Sequence, residues 1–328
     1  MTAGKQVSLW ALAWLGCITW VAPALAQPYP NRAITLVSPF AAGGDSDLSA
    51  RNLANTATKY LGQPVIVANV VGASGMIGSQ KVRSSPPDGY NLLIARIGSQ
   101  AILPALDTKT VYKWNDFTFL SVLELNPYVC VVKADSPLKT MRDLIEMLRT
   151  NPGKLNYASA GAGTIQHMGP QYIFNVAGLP ASAAEHIAYK GGGDATAALL
   201  GGQVQFLCNN MTTIVAHIKA GTLRAIMTTT AERMKEIPDT PTARELGWPQ
   251  LESLTGWSAL YGPPGLPPEV VNKWTEAFRQ IAADRDWIAG NAAIGGIAAV
   301  RSPAETEKFA REQYELYEKL AVALGLRK

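Results

Sequence analysis

The sequence predicts an α/β protein of two lobes, each a mainly parallel sheet flanked by helices, with the chain crossing twice between them. Three observations predict it. Short apolar runs alternate with helix-period segments from residue 34 onward, the pattern of a parallel sheet covered on both faces. The same alternation restarts after Pro127. A long amphipathic helix at the C terminus then needs a sheet to lie on.

In the first block Ile34–Ser38 reads as a buried strand, followed by Gly43-Gly44 and a helix over 46–60. Residues 65–67 form a second strand. Gly72-Ala73-Ser74-Gly75 then leads into a helix ending near Ser84. Pro86-Pro87-Asp88-Gly89 is a turn before a third strand at 92–95. In the second block residues 128–132 are a strand, and Met141, Leu144, Ile145 and Leu148 share one helical face. Strands follow at 155–158, 185–188, 204–208 and 223–227. Helices begin near Thr164 and after Lys190-Gly191-Gly192-Gly193, and another lies between the last two strands.

The tail is helical. Pro267-Pro268 opens one helix, and Ser302-Pro303-Ala304-Glu305 opens another with the residues of a capping box. Phe309, Leu316, Tyr317, Leu320 and Leu324 mark its inner face, with Gln313 a polar interruption. The second block has helices of its own, so this one is docked on the first. Lobe one is then 27–125 plus 241–328 and lobe two 126–240, with a cleft between them.

The chain has 328 residues, 48% of them hydrophobic, 16% charged, with a net charge of +4. At ~100–200 residues per domain that length accommodates two lobes. The composition excludes wholesale disorder, a coiled coil and a cysteine-rich miniprotein. Basic residues are scattered rather than striped, which argues against nucleic acid as a partner.

Lys5 is the only charge before Arg32. Behind it runs an apolar stretch from Val7 to Val21, then Ala24-Leu25-Ala26. This describes a secretory signal, residues 1–26, cleaved after Ala26, and places the mature protein in the periplasm. Acylation at Cys17 is the alternative, weakened by the bulky Trp14 three residues earlier. Cleavage leaves Cys130 and Cys208, an even pair in an oxidising compartment. Both a disulfide and two buried thiols fit their apolar surroundings. No metal site and no cofactor are expected.

Three Gly-rich turns sit at strand-to-helix junctions: Pro39-Phe40-Ala41-Ala42-Gly43-Gly44-Asp45-Ser46-Asp47, Ser159-Ala160-Gly161-Ala162-Gly163-Thr164, and Lys190-Gly191-Gly192-Gly193-Asp194. In a parallel sheet these junctions share the carboxyl edge, where ligands bind. Each presents unpaired N–H groups at the positive end of a helix, which suits a carboxylate or phosphate. A tight turn without a ligand is the alternative for any one of them. None is a nucleotide fingerprint. His167, just inside the second helix, stands close enough to meet a ligand carboxylate; His186 and His217 read as a strand-edge and a helix-surface residue. Asp47 is either a helix-dipole partner or a ligand contact. Trp257 is placed as a core anchor or at the cleft. A hydrolase using Ser159 or Thr164 with His167 is the enzymatic rival, although no GxSxG elbow is present.

These motifs, in this order, resemble the extracytoplasmic receptors of tripartite tricarboxylate transporters, the Bug family. The resemblance spans Pro39-Phe40…Gly43-Gly44…Asp47…Ala50-Arg51, Asn69…Gly72-Ala73-Ser74-Gly75, Pro87-Asp88-Gly89-Tyr90, the Gly161 loop with His167, Tyr189-Lys190-Gly191-Gly192, Gly202-Gln203-Val204, His217 to Ala225, and Pro263-Pro264-Gly265. It implies a type II periplasmic binding protein fold and capture of a small organic acid, a dicarboxylate or aromatic carboxylate, by a monomer. The acid is then passed to membrane permease subunits without reaction. A receptor feeding a sensor system is indistinguishable at this level. The candidate ligand-binding set is Phe40, Ala41, Ala42, Gly43, Gly44, Asp47, Ser99, Ala160, Gly161, Gly163, Thr164, His167, Gly191 and Asn209. Several positions depart from the family pattern: Ala41-Ala42 replaces frequent prolines, Ala68-Asn69-Val70 a Glu-Asn-Arg, Gln100 and Leu103 a His and an Asn, and Asn209 a frequent Asp. Asn209 removes a negative charge, which favours a carboxylate lacking an amine.

Overall fold

The computed structural model describes residues 28–327; the signal, its cleavage site and Cys17 lie outside them. Lobe one begins with β1 (Ile34–Ser38), α1 (Asp45–Leu61), β2 (Val65–Asn69), α2 (Met76–Arg83), β3 (Asn91–Arg96) and the short α3 (Leu103–Leu106). Then comes β4 (Thr118–Lys133), sixteen residues long, which enters lobe two without a break. Lobe two adds α4 (Met141–Thr150), β5 (Leu155–Ser159), α5 (Ile165–Val176), β6 (Ala184–Ala188), α6 (Gly192–Leu200), β7 (Leu207–Asn210), α7 (Val215–Lys219) and β8 (Leu223–Thr228). The chain returns as β9 (Thr255–Gly262), α8 (Pro268–Ile281), α9 (Arg285–Ala293), β10 (Ile297–Ala298) and α10 (Pro303–Ala323).

The two sheets share one plan. In lobe one β2, β1 and β3 are parallel, β9 is antiparallel to β3, and β4 is antiparallel to β9, with β10 at its edge. In lobe two β5 and β6 are parallel, a bridge from Tyr157 to Phe206 leads to β7, and β7 and β8 flank β4 antiparallel. In each sheet the long strand that runs against the parallel set, β9 in lobe one and β4 in lobe two, is the one that has just crossed. Side chains alternate across a strand, so Leu36 joins the core that holds Leu53 of α1 and Trp274 of α8, while Val37 joins the core on the other face; both are fully buried. Burial on both faces makes the strands near-continuous apolar runs.

The helices follow their sequence signals. Thr140 and Asp143 close a capping box on α4, and Met141, Leu144, Ile145 and Leu148 are its buried face. Ser302 and Glu305 do the same for α10, whose Thr306 hydroxyl accepts from the Val122 amide at 2.9 Å. Gln313 is explained by Trp257, whose indole N–H donates to its Oε1 at 3.2 Å; Trp257 is a core residue, 1% exposed. Three strand readings change. The first half of β4 carried no clear signal, because two bulges break its period of two, and β9, buried on both faces, shows no alternation either. The strand at 204–208 starts later, at Leu207.

Cys130 and Cys208 stand opposite each other on β4 and β7 and form a disulfide. The bond joins residues 78 positions apart, so it removes much loop freedom from the unfolded chain. Replacing both cysteines by Ser should lower stability by about 2–4 kcal/mol, measured by guanidinium denaturation; an unchanged midpoint would show that the bond adds nothing.

Candidate functional site

Three helices start at the carboxyl ends of strands and aim their positive ends into the cleft: α1 after β1, α5 after β5 and α6 after β6. The two lobes are closed on each other. The Ala41 amide donates to the Lys190 carbonyl at 3.4 Å across the cleft. A Cβ added to Gly193 would lie 2.9 Å from the Gly43 carbonyl oxygen, and one on Gly98 3.3 Å from Thr164 Cα. Only residues without side chains let these backbones approach so closely.

A narrow cavity lies between the lobes. Lobe one lines it with Phe40, Asp45, Ser46, Arg96, Ile97 and Gly98, and lobe two with Ala160, Thr164, Ile165, Gln166, Gly192 and Asn210. A second, wider pocket shares Phe40 and Ala160 with it and reaches Gly72–Gly75, Gly161 and Lys190. Ala73 and Ser74 there hold φ of 45° and 55°, a strained conformation for residues with a side chain.

The inner cavity carries buried charge. Arg96, at the end of β3 and 3% exposed, donates to Asn126 Oδ1 at 3.1 Å and to the Ser258 hydroxyl. Its guanidinium lies 3.7 Å from Asp45 Oδ2 and 3.9 Å from Glu124 Oε1. Glu124 also accepts from the hydroxyls of Ser49 and Ser258 and from Asn126. Asp45 Oδ2 accepts from two side chains of lobe two, Asn210 at 3.2 Å and Gln166 at 3.4 Å. Burial raises the Asp45 pKa above its ordinary value, against the pull of Arg96 and Asn210.

The structure places the sequence-predicted residues as follows. Phe40, Ala160 and Thr164 line the inner cavity, and Gly161 the outer one. Gly44 and Gly191 sit at the touching backbones, beside Gly192 and Ala41 respectively. Ala41 bonds Lys190, whereas Ala42 and Gly43 are exposed on the outer rim. Asp47 spends its carboxylate on Arg51, Asn69 and the Gly43 amide. Burial would raise its pKa, but those three donors outweigh it and hold the group low, so it clamps the loop. Ser99 is buried in the helical turn after β3 and donates to Gln100. Asn209 is occupied by Gly192, Thr196, Thr213 and Gln166. Thr164 donates its hydroxyl proton to the Gly161 carbonyl at 2.7 Å, bracing its own loop. Gly163, at φ 79°, donates its amide to His167 Nδ1 at 3.3 Å.

Sequence reading missed Arg96, Asp45 as a cavity residue, Gln166 and Asn210. The signal for Arg96 was present: one cation inside the apolar run Leu92-Leu93-Ile94-Ala95-Arg96-Ile97 must be paired if the strand is buried. Asp45 was overshadowed by Asp47, two residues on.

Behind the Gly161 loop, His186 Nε2 lies 2.5 Å from the Ser159 hydroxyl, and its ring packs on His167 with centroids 4.3 Å apart. Burial, with His167 beside it, lowers its pKa from 6.5 to about 4. Between those values the unfolded chain binds a proton that the native protein does not, so stability falls as pH drops through that window. His186→Gln should flatten the fall in thermal midpoint between pH 6.5 and 4; parallel profiles would refute the assignment. Closure is tested by Gly193→Ala. Its Cβ meets backbone across the cleft, so ligand affinity should drop about tenfold or more, and the scattering radius should stay wide with ligand present. Wild-type affinity would contradict this.

The sequence matches the family described as "Tripartite tricarboxylate transporter family receptor" over residues 49–326. It is 36% identical over 275 residues to the "UPF0065 protein in gbd 5'region" of Cupriavidus necator, covering 82% of this chain and 80% of that protein. It is 30% identical over 299 residues to "Protein BugT" of Bordetella pertussis, covering 90% of each. Among solved structures it superposes on the periplasmic binding protein BugD with a TM-score of 0.86 and 29% identity, over 92% of this chain and 100% of that one. It superposes on MatC from Rhodopseudomonas palustris with bound malate at 0.84 and 27% identity, over 89% and 100% of the two chains. An R. palustris protein solved with adipate gives 0.85 and 27% identity, over 90% and 98%. The fold is that of periplasmic binding proteins, and the chain belongs to the tripartite tricarboxylate transporter receptor family, with BugT and BugD among its relatives.

Proposed function

We propose that this chain is an extracytoplasmic solute receptor that captures a small organic carboxylate between its lobes and delivers it to the permease subunits of a tripartite tricarboxylate-type transporter. It acts in the periplasm as a monomer, after loss of residues 1–26, and carries out no reaction. One observation carries the reading: three helix N-termini from both lobes converge on one cavity between the lobes, with a buried guanidinium in its wall. Converging N–H groups and a cation withdrawn from water favour an anion. The malate- and adipate-bound relatives support a carboxylate as that anion.

The short contact between Ser159 and His186 favours a second reading, a hydrolase. Ser159 is fully buried at the end of β5, and the cavity linings include neither it nor His186. The sequence alone pairs Ser159 with His167, whereas the structure sets it against His186; an ester-hydrolysis screen comparing wild type with His186→Ala separates the two readings, and turnover lost in the variant would favour the enzyme.

Titration calorimetry against a panel of mono- and dicarboxylates tests the receptor. At least one should bind well below millimolar and contract the scattering radius. Binding of a neutral sugar or a metal ion, with every carboxylate inert, would overturn the proposal. Thr164→Ala should weaken the carboxylate by about 1 kcal/mol, the net value of the loop hydrogen bond it removes.

A further inference from the structure

The inner cavity is not a plain anion hole. Its polar cluster holds one cation, Arg96, and two carboxylates, Asp45 and Glu124, which are 3%, 6% and 0% exposed. Buried charges persist when paired, and with both carboxylates ionised this set is one positive charge short. Two acceptors on residues that line the cavity also lack donors among the described residues: Asp45 Oδ1 and Asn210 Oδ1, both buried, the latter against Gly256 of β9. Asn210 presents that oxygen because its Nδ2 is committed to Asp45 Oδ2 at 3.2 Å. Ser46 Oγ is a third wall atom without a partner.

We infer that the solute brings a protonated nitrogen to Asp45 and Asn210, and is therefore an amino-carboxylate rather than an amine-free acid. This rests on the carboxylate-receptor reading for the other end of the molecule, at the α5 and α6 N-termini. It reverses the expectation drawn from Asn209. That residue lacks a carboxylate, but Gln166 links its Oδ1, at 2.8 Å, to Asp45 Oδ2, at 3.4 Å. The negative charge has moved to the neighbouring lobe rather than disappeared. An ammonium between Asp45 and Asn210 would supply the missing positive charge and donate to both oxygens. A second carboxylate there would meet two acceptors and a like charge. A hydroxyl would satisfy one acceptor and leave the charge unbalanced.

Matched pairs test this by calorimetry at pH 7 on the mature receptor: succinate with aspartate, glutarate with glutamate, and butyrate with 4-aminobutyrate, together with butylamine and putrescine as amines without a carboxylate. In at least one pair the amino member should bind about tenfold tighter or better, and Asp45→Asn should bring that pair within about threefold. Amine-free acids binding equally or more tightly in every pair would overturn the inference and leave the carboxylate receptor standing. Such acids, weakening as pH rises, would mark Asp45 as a protonated donor instead. Tightest binding by butylamine or putrescine would support the donor end and overturn the carboxylate reading. Silence across the whole panel would count against both. If Asp45→Asn fails to fold, the wild-type pairs decide alone.

Discussion

A guanidinium withdrawn from water has to find acceptors, and Arg96 finds them where the lobes meet. Asn126, Ser258, Glu124 and Asp45 surround it, and Asp45 passes the linkage on to Gln166 and Asn210 of lobe two. Desolvation of those carboxylates is tolerable only with the pairing intact. The polar seam therefore ties the closed arrangement of lobes to the state of the cavity. Around it the apolar sheets and helices act as a frame that brings α1, α5 and α6 to one point. The fold and the charge cluster support a single event, enclosure of a small solute.

Much of the frame was legible in the sequence. Strands β1, β3, β5 and β8 announce themselves as short apolar runs beside Gly or Pro turns, and α4 and α10 by spacing and capping residues. The parts that escaped are those where tertiary context overrides a local pattern. β4 bulges between Phe119 and Ser121 and again between Val122 and Glu124, so its alternation is scrambled. β9 is buried on both faces, and its Trp257 read as a core anchor or a cleft residue rather than as part of a strand.

The site was legible in its backbone and obscure in its side chains. Glycines at strand-to-helix junctions pointed to the right loops, because close approach leaves a composition signature. Which polar side chain turns inward depends on rotation about a helix start, and Asp45 and Asp47 differ only in that. Asp47 faces Arg51 one turn along α1, whereas Asp45 faces the opposite lobe. Thr164 illustrates the same limit: its place in the loop was foreseen, but its hydroxyl proton is held by Gly161.

Strand β4 has a mechanical consequence. It trades its partner β9 for β7 between Pro127 and Tyr128 while its own backbone runs on. An extended chain can bend or twist but cannot lengthen. It behaves like a leaf spring clamped in both halves, and the disulfide at Cys130 rivets the clamp on one side. The halves can swing about that leaf but cannot drift apart, so the width of the gate is governed by torsion in a few peptide units near Pro127.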